Sequence, residues 1–121
     1  MKKIVLGCAF VTIGVAALPA LAAGSQTFCN GGAAGNGLVA ATASQTDFVK
    51  VPFTPKCSAN VFLVGNDRSA TLYTVGSASI KGKSSFGGSS AGGGVVRIGD
   101  CAASPCAVGD ATAGEAAAPQ S

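Results

Sequence analysis

Three regimes of hydrophobic patterning follow one another along the chain. Residues 4–18 form an uncharged apolar run behind Met1-Lys2-Lys3. From Phe48 to Ile98 the apolar residues instead come in short blocks separated by polar or glycine-rich stretches. Val49, Val51 and Phe53 alternate with Lys50 and Pro52, a period of two that predicts a strand, and Pro52 restricts it to an edge or a bulge. Asn60–Val64 is a continuous apolar block that reads as a strand buried on both faces. After the polar turn Gly65–Ser69, Ala70–Val75 is rich in β-formers, so the two blocks predict a hairpin. Leu38–Ala43 and Val95–Ile98 are shorter candidate strands. No segment repeats its apolar positions with helical spacing. From Ala107 to Ser121 the chain is Ala/Gly-rich and predicts a flexible tail with little to bury.

The first regime has the layout of a secretory signal peptide. A short positive start precedes the apolar run, and Ala20 and Ala22 stand at the −3 and −1 positions of a cleavage site. The run is shorter than the roughly 20 residues that span a bilayer, so no stable membrane anchor is expected after processing. The predicted organisation is therefore 1–22 signal peptide, 23–106 small β domain and 107–121 tail. The expected location is periplasmic or extracellular.

Export changes the reading of the cysteines. Cys8 leaves with the signal, and Cys29, Cys57, Cys101 and Cys106 remain, an even number that reads as a disulfide framework. Four cysteines allow three pairings. The preferred one is Cys29–Cys57 with Cys101–Cys106, because Pro105 favours a turn that closes the short loop. The spacing lacks the two short pairs of a zinc site, and neither a metal nor a cofactor is expected. The resulting fold class is mainly β: a small disulfide-stapled antiparallel sheet or sandwich with Gly-rich loops.

Composition narrows function by exclusion. Among 121 residues there is no His, which removes Ser-His-Asp and Cys-His catalysis. Beyond the signal, the charges are nearly balanced and scattered, so nucleic acid is not an expected partner. Gly82-Lys83-Ser84 misses the phosphate-loop spacing, since Ser77 stands where that motif needs Gly. Asp100, Asp110 and Glu115 lack the alternation of a calcium loop. Asp47 and Asp67 would be the pair available for glycoside hydrolysis, but no cleft is evident between them. The chain is read as a non-enzyme.

Phe48–Val61, with its alternating residues leading to Cys57, resembles the strand-then-cysteine opening of pilin-like and spore-coat-type secreted β-sandwich domains. It departs from chaperone–usher pilins at the C-terminus. Those end in an alternating strand with a penultimate Tyr, whereas this chain ends Pro119-Gln120-Ser121.

One positive feature remains. Gly76–Gly94 is built almost wholly of Gly, Ser, Ala and Lys, with Ile80 and Phe86 an even spacing apart. Small side chains in a sheet admit the close approach of another backbone or layer. The expected function is an exported structural protein, a self-associating subunit of an extracellular fibre, sheath or matrix, pairing as a homo-oligomer or polymer through strand edges. Gly87, Gly88, Gly92, Gly93 and Gly94 are the residues expected at the contact. A small secreted effector of bacteriocin-like type, or a periplasmic ligand-binding or inhibitor module, is the alternative.

Overall fold

The computed structural model describes residues 24–40 and 48–120. The expected signal peptide and its expected cleavage site lie outside these residues. The described residues form β1 (Ser25–Asn30), β2 (Gly35–Asn36), β3 (Lys56–Cys57), β4 (Val61–Ser69), β5 (Leu72–Ser79), β6 (Ser84–Ser89), β7 (Val96–Asp100) and one helix, α1 (Val108–Ala116). A five-stranded antiparallel sheet runs in the order β1-β4-β5-β6-β7, and β2 pairs with β3 in a small second sheet. The fold is mainly β, with both expected disulfides, Cys29–Cys57 and Cys101–Cys106, in place.

The hairpin expected from Asn60 to Val75 exists, but its turn falls later. β4 runs through Asn66, Asp67 and Arg68, and only Ala70 and Thr71 separate it from β5. Asp67 and Arg68 stay in the strand because each finds a tertiary role there, Asp67 with the N–H groups of Phe48 and Val49. Arg68 Nη2 donates to Glu115 of α1 at 2.8 Å. Arg68 Nε reaches Thr74 Oγ1 at 2.9 Å, and the Thr74 hydroxyl in turn donates to Glu115. Thr74 is fully buried and Glu115 nearly so, yet no buried side-chain polar atom among the described residues lacks a partner. A buried carboxylate is tolerable only when it is paired and hydrogen-bonded in this way.

The tail is not a tail. Residues 108–116 are helical and lie across β5, β6 and β4. The buried residues Asp110, Ala111, Gly114 and Glu115 fall on one face of α1. A sandwich would place a second sheet on this side; here the helix covers it.

Glycine explains how the helix fits. A Cβ on Gly76 would stand 2.0 Å from the Ala111 carbonyl oxygen, and one on Gly87 would stand 2.3 Å from that of Gly114. The helix backbone thus rests on the sheet backbone, and any side chain at these positions would hold the two layers apart. The small-residue segment is an ordered part of the sheet through β5 and β6. Ile80 and Phe86 do not share a strand face, because the chain reverses between them, with Gly82 N–H donating to the Ser79 carbonyl at 2.8 Å.

Two apolar clusters hold the layers. Val64, Ala78, Cys106 and Ala111, with Phe62 and Cys101, pack between sheet and helix. On the opposite side Phe28, Cys29 and Ala40 pack with Cys57, Leu63 and Tyr73. β4 feeds both clusters, through Phe62 and Val64 on one face and Leu63 on the other. This agrees with a block buried on both sides.

Candidate self-association surface

The two ends of the sheet differ in kind. β7 pairs with β6 alone, and among the described residues no strand lies on its outer side. It is five residues long and carries a bulge: Gly99 opposes Ser85 and Arg97 opposes Phe86, which leaves Ile98 as the extra residue. The bulge brings Arg97 and Asp100 to the same face, where they form an ion pair. Arg97 Nε also donates to Ser84 Oγ at 3.0 Å. Just before the strand, Val95 is 72% exposed, and Val96 is partly exposed.

At the other end, β1 is flanked by an arm made of residues 35–40 and 48–57. Leu38 N–H donates to the Phe28 carbonyl of β1 at 3.0 Å. Gly37 N–H donates to Pro55 and Ala40 N–H to Phe53, each at 2.8 Å. The Cys29–Cys57 disulfide ties β1 to the base of the arm. Of the two strands expected here, Phe48–Phe53 enters a ladder only at Phe53, which bridges to Ala40. Residues 41–43 of the other fall outside the described residues. The Asp67 carboxylate fixes the far side of the arm, accepting the N–H groups of Phe48 and Val49 at 2.8 and 2.9 Å. The Phe48 ring lies 5.8 Å from that of Tyr73, and the Phe53 ring lies 6.2 Å from that of Phe28. Fixed in this way, the arm still leaves Leu38, Val39, Val51 and Phe53 exposed, with Val51 the most so at 74%.

The glycines expected at the contact separate into three settings. Gly87 is buried under α1 and its small size serves packing within the molecule. Gly88 is buried too, with Val95 and the Gly94 carbonyl over it. Gly92, Gly93 and Gly94 form an exposed turn with φ of 111°, 84° and 70°, so each adopts a conformation that other residues rarely accept. Only this turn, which leads into β7, is at the surface. The apolar arm had a sequence signal, the alternation from Val49 to Phe53, but that pattern reads equally as a half-buried strand.

The titratable groups are largely engaged in structural contacts. Asp110 Oδ1 accepts from Ala102 N–H and Oδ2 from Ala107 N–H, each at 2.8 Å. These bonds, that from Ala107 first, hold its carboxyl below the ordinary value of 3.8 against the opposing effect of burial. One of its oxygens lies within 4.8 Å of Cys101 and Cys106 Sγ, but both sulfurs are joined in a disulfide. Tyr73 is pushed up to about 12, chiefly by burial, with the Asp67 and Glu115 carboxylates adding to the shift. Asp47, one of the two acids considered for hydrolysis, lies outside the described residues, and Asp67 is occupied with the arm. A shallow groove of about 330 Å³ on the open face of the sheet is lined by Val61, Ser77, Ser84 and Phe86, with Lys83 as its one charged residue.

No protein-family model, curated protein or solved structure matches this chain.

Proposed function

We propose that the protein is an exported structural subunit, without enzymatic activity, that associates with copies of itself in an extracellular fibre, sheath or matrix. The observation that carries this reading is the outer edge of β7, which has no partner among the described residues and begins beside the exposed Val95. An open strand edge offers backbone donors and acceptors to another chain. Two disulfides in so small a chain suit a protein of an oxidising compartment outside the cytoplasm. The occupation of Asp67, Asp110 and Glu115 by structural contacts supports the non-enzymatic part of the reading.

The test is the state of the exported, oxidised protein. Light scattering after size-exclusion chromatography, with negative-stain microscopy, is expected to show polymers that grow with concentration. Protein that stays monomeric at high concentration overturns the proposal and favours a secreted effector.

A further inference from the structure

We propose that the Cys101–Cys106 bridge is a redox latch on α1: a thiol entering at Cys101 opens it, and the helix then leaves a sheet that stays paired. Nothing in this device depends on self-association.

The bridge joins the last fixed point of the sheet to the start of the helix. Cys101 N–H donates to the Lys83 carbonyl at 2.8 Å, and Cys106 immediately precedes Ala107, the N-cap of α1. The two Cα atoms are held 5.4 Å apart. Without the bridge the same stretch of chain can extend to about 17 Å. Little else holds the helix down. Ala111 is the only apolar side chain among its buried residues. Glu115 is paired with Arg68 and Thr74, but the desolvation of a buried ion pair offsets much of its attraction. Asp110 cannot replace the bridge, because one of its partners, Ala102 N–H, lies in the loop that the bridge shapes. The strand ladder, the Cys29–Cys57 bridge and the cluster around Phe28 do not involve α1, so the helix can open as a unit of its own.

Access selects Cys101. It is half-buried and borders an open cleft of about 500 Å³ that Lys83, Asp100 and residues 102–104 also line. Cys106 is buried with Val64, Ala78 and Ala111. Asp100 is paired with Arg97, which leaves the exposed Lys83 as the cation at the cleft to draw a thiolate in. The Cys29–Cys57 bridge borders a smaller cavity, about 230 Å³, with no charged residue in its lining.

The reaction is thiol–disulfide exchange with a dithiol. One thiolate of the dithiol attacks Cys101 Sγ, the bond to Cys106 breaks, and the Cys106 sulfur keeps the electron pair and takes a proton. The second thiolate then displaces Cys101, which is protonated in turn, and the reagent leaves as its own disulfide. In all, the protein gains two electrons and two protons, and the dithiol loses them.

The test uses the full exported, oxidised chain and dithiothreitol. After short exposures, free thiols are capped with N-ethylmaleimide and mapped, and amide exchange is followed in the same samples. Cys101 and Cys106 are expected to be labelled roughly tenfold or more faster than Cys29 and Cys57. Exchange across residues 108–116 is expected to rise by roughly tenfold or more, with that of β4 and β5 unchanged. Reoxidation should restore the protection. With the monothiol 2-mercaptoethanol, the earliest adduct should sit on Cys101. Lys83→Gln should slow labelling about twofold or more at low ionic strength. Reduction of both bridges at one rate, or an open bridge with α1 as protected as before, overturns the latch. An earliest adduct on Cys106, or a Lys83→Gln rate equal to wild type, overturns entry at Cys101.

Discussion

Among the described glycines, Gly76 leaves the least room for a side chain. A Cβ there would fall 2.0 Å from Ala111 O and 2.2 Å from Glu115 N, both backbone atoms of α1 that no rotamer change can move aside. Gly99, in the edge strand, would place a Cβ in open space. Gly76→Ala is therefore expected to destabilise the fold by about 3 kcal/mol or more, at or beyond the usual cost of overpacking. Gly99→Ala should stay within about 0.5 kcal/mol of wild type. Denaturant midpoints of the two variants check this; equal midpoints would mean that α1 does not rest on the sheet as described. At this scale the sequence was half legible. Small residues in a β segment signal that something must come close, but they do not say what. Arg68 was harder to read: in sequence it belongs to a polar turn, and only its partner Glu115, 47 residues away, keeps it in β4.

Among the elements, α1 departs furthest from what the sequence pattern suggests. Val108–Ala116 contains two glycines, and its buried positions are Asp, Ala, Gly and Glu, so no apolar stripe marks a packing face. Tertiary contact sustains this helix where propensity is weak. Asp110 secures its first turn. Its carboxylate accepts the N–H of Ala107 just before the helix and that of Ala102 in the disulfide loop, which joins the two. A carboxyl whose folded value is depressed stabilises the fold above its unfolded value and loses that contribution as pH falls through the folded one. On that sign, α1 is expected to loosen as the medium is acidified below about 3.8, the ordinary value. Amide exchange across residues 108–116 would report it. Asp110→Asn should protect these amides less at neutral pH and show no further step on acidification; an unchanged acid step in this variant would assign the titration to another group. The β elements were easier to foresee. β4, β5 and β7 stand out by apolar blocks, whereas the alternating segment of the arm forms no regular strand, the Asp67 carboxylate taking the N–H groups of Phe48 and Val49 where a ladder would.

For the whole molecule, the disulfides divide the labour of holding together a chain that packs few large side chains; of the fully buried ones, Val64 and Thr74 are the largest. Cys29–Cys57 closes a separation of 28 residues and pins the arm to β1, while Cys101–Cys106 closes a separation of five beside the start of α1. Under the chain-entropy account, constraining the longer loop removes more freedom from the unfolded state, roughly 3–4 kcal/mol against about 2 kcal/mol. Replacing Cys29 and Cys57 together by Ser is then expected to lower stability more than replacing Cys101 and Cys106 together. Burial does not reverse the order, because each bridge has one buried sulfur, that of Cys29 or Cys106, and one half-buried partner. The two double variants should also fail differently. Loss of Cys29–Cys57 should free the arm, raising amide exchange at Leu38 and Ala40 before the sheet opens. Loss of Cys101–Cys106 should act first on α1, through the loop that Asp110 holds. Equilibrium unfolding of both variants settles the ranking. If the Cys101/Cys106 variant proved the weaker, anchoring α1 over the glycine floor of the sheet would outweigh loop entropy in this fold.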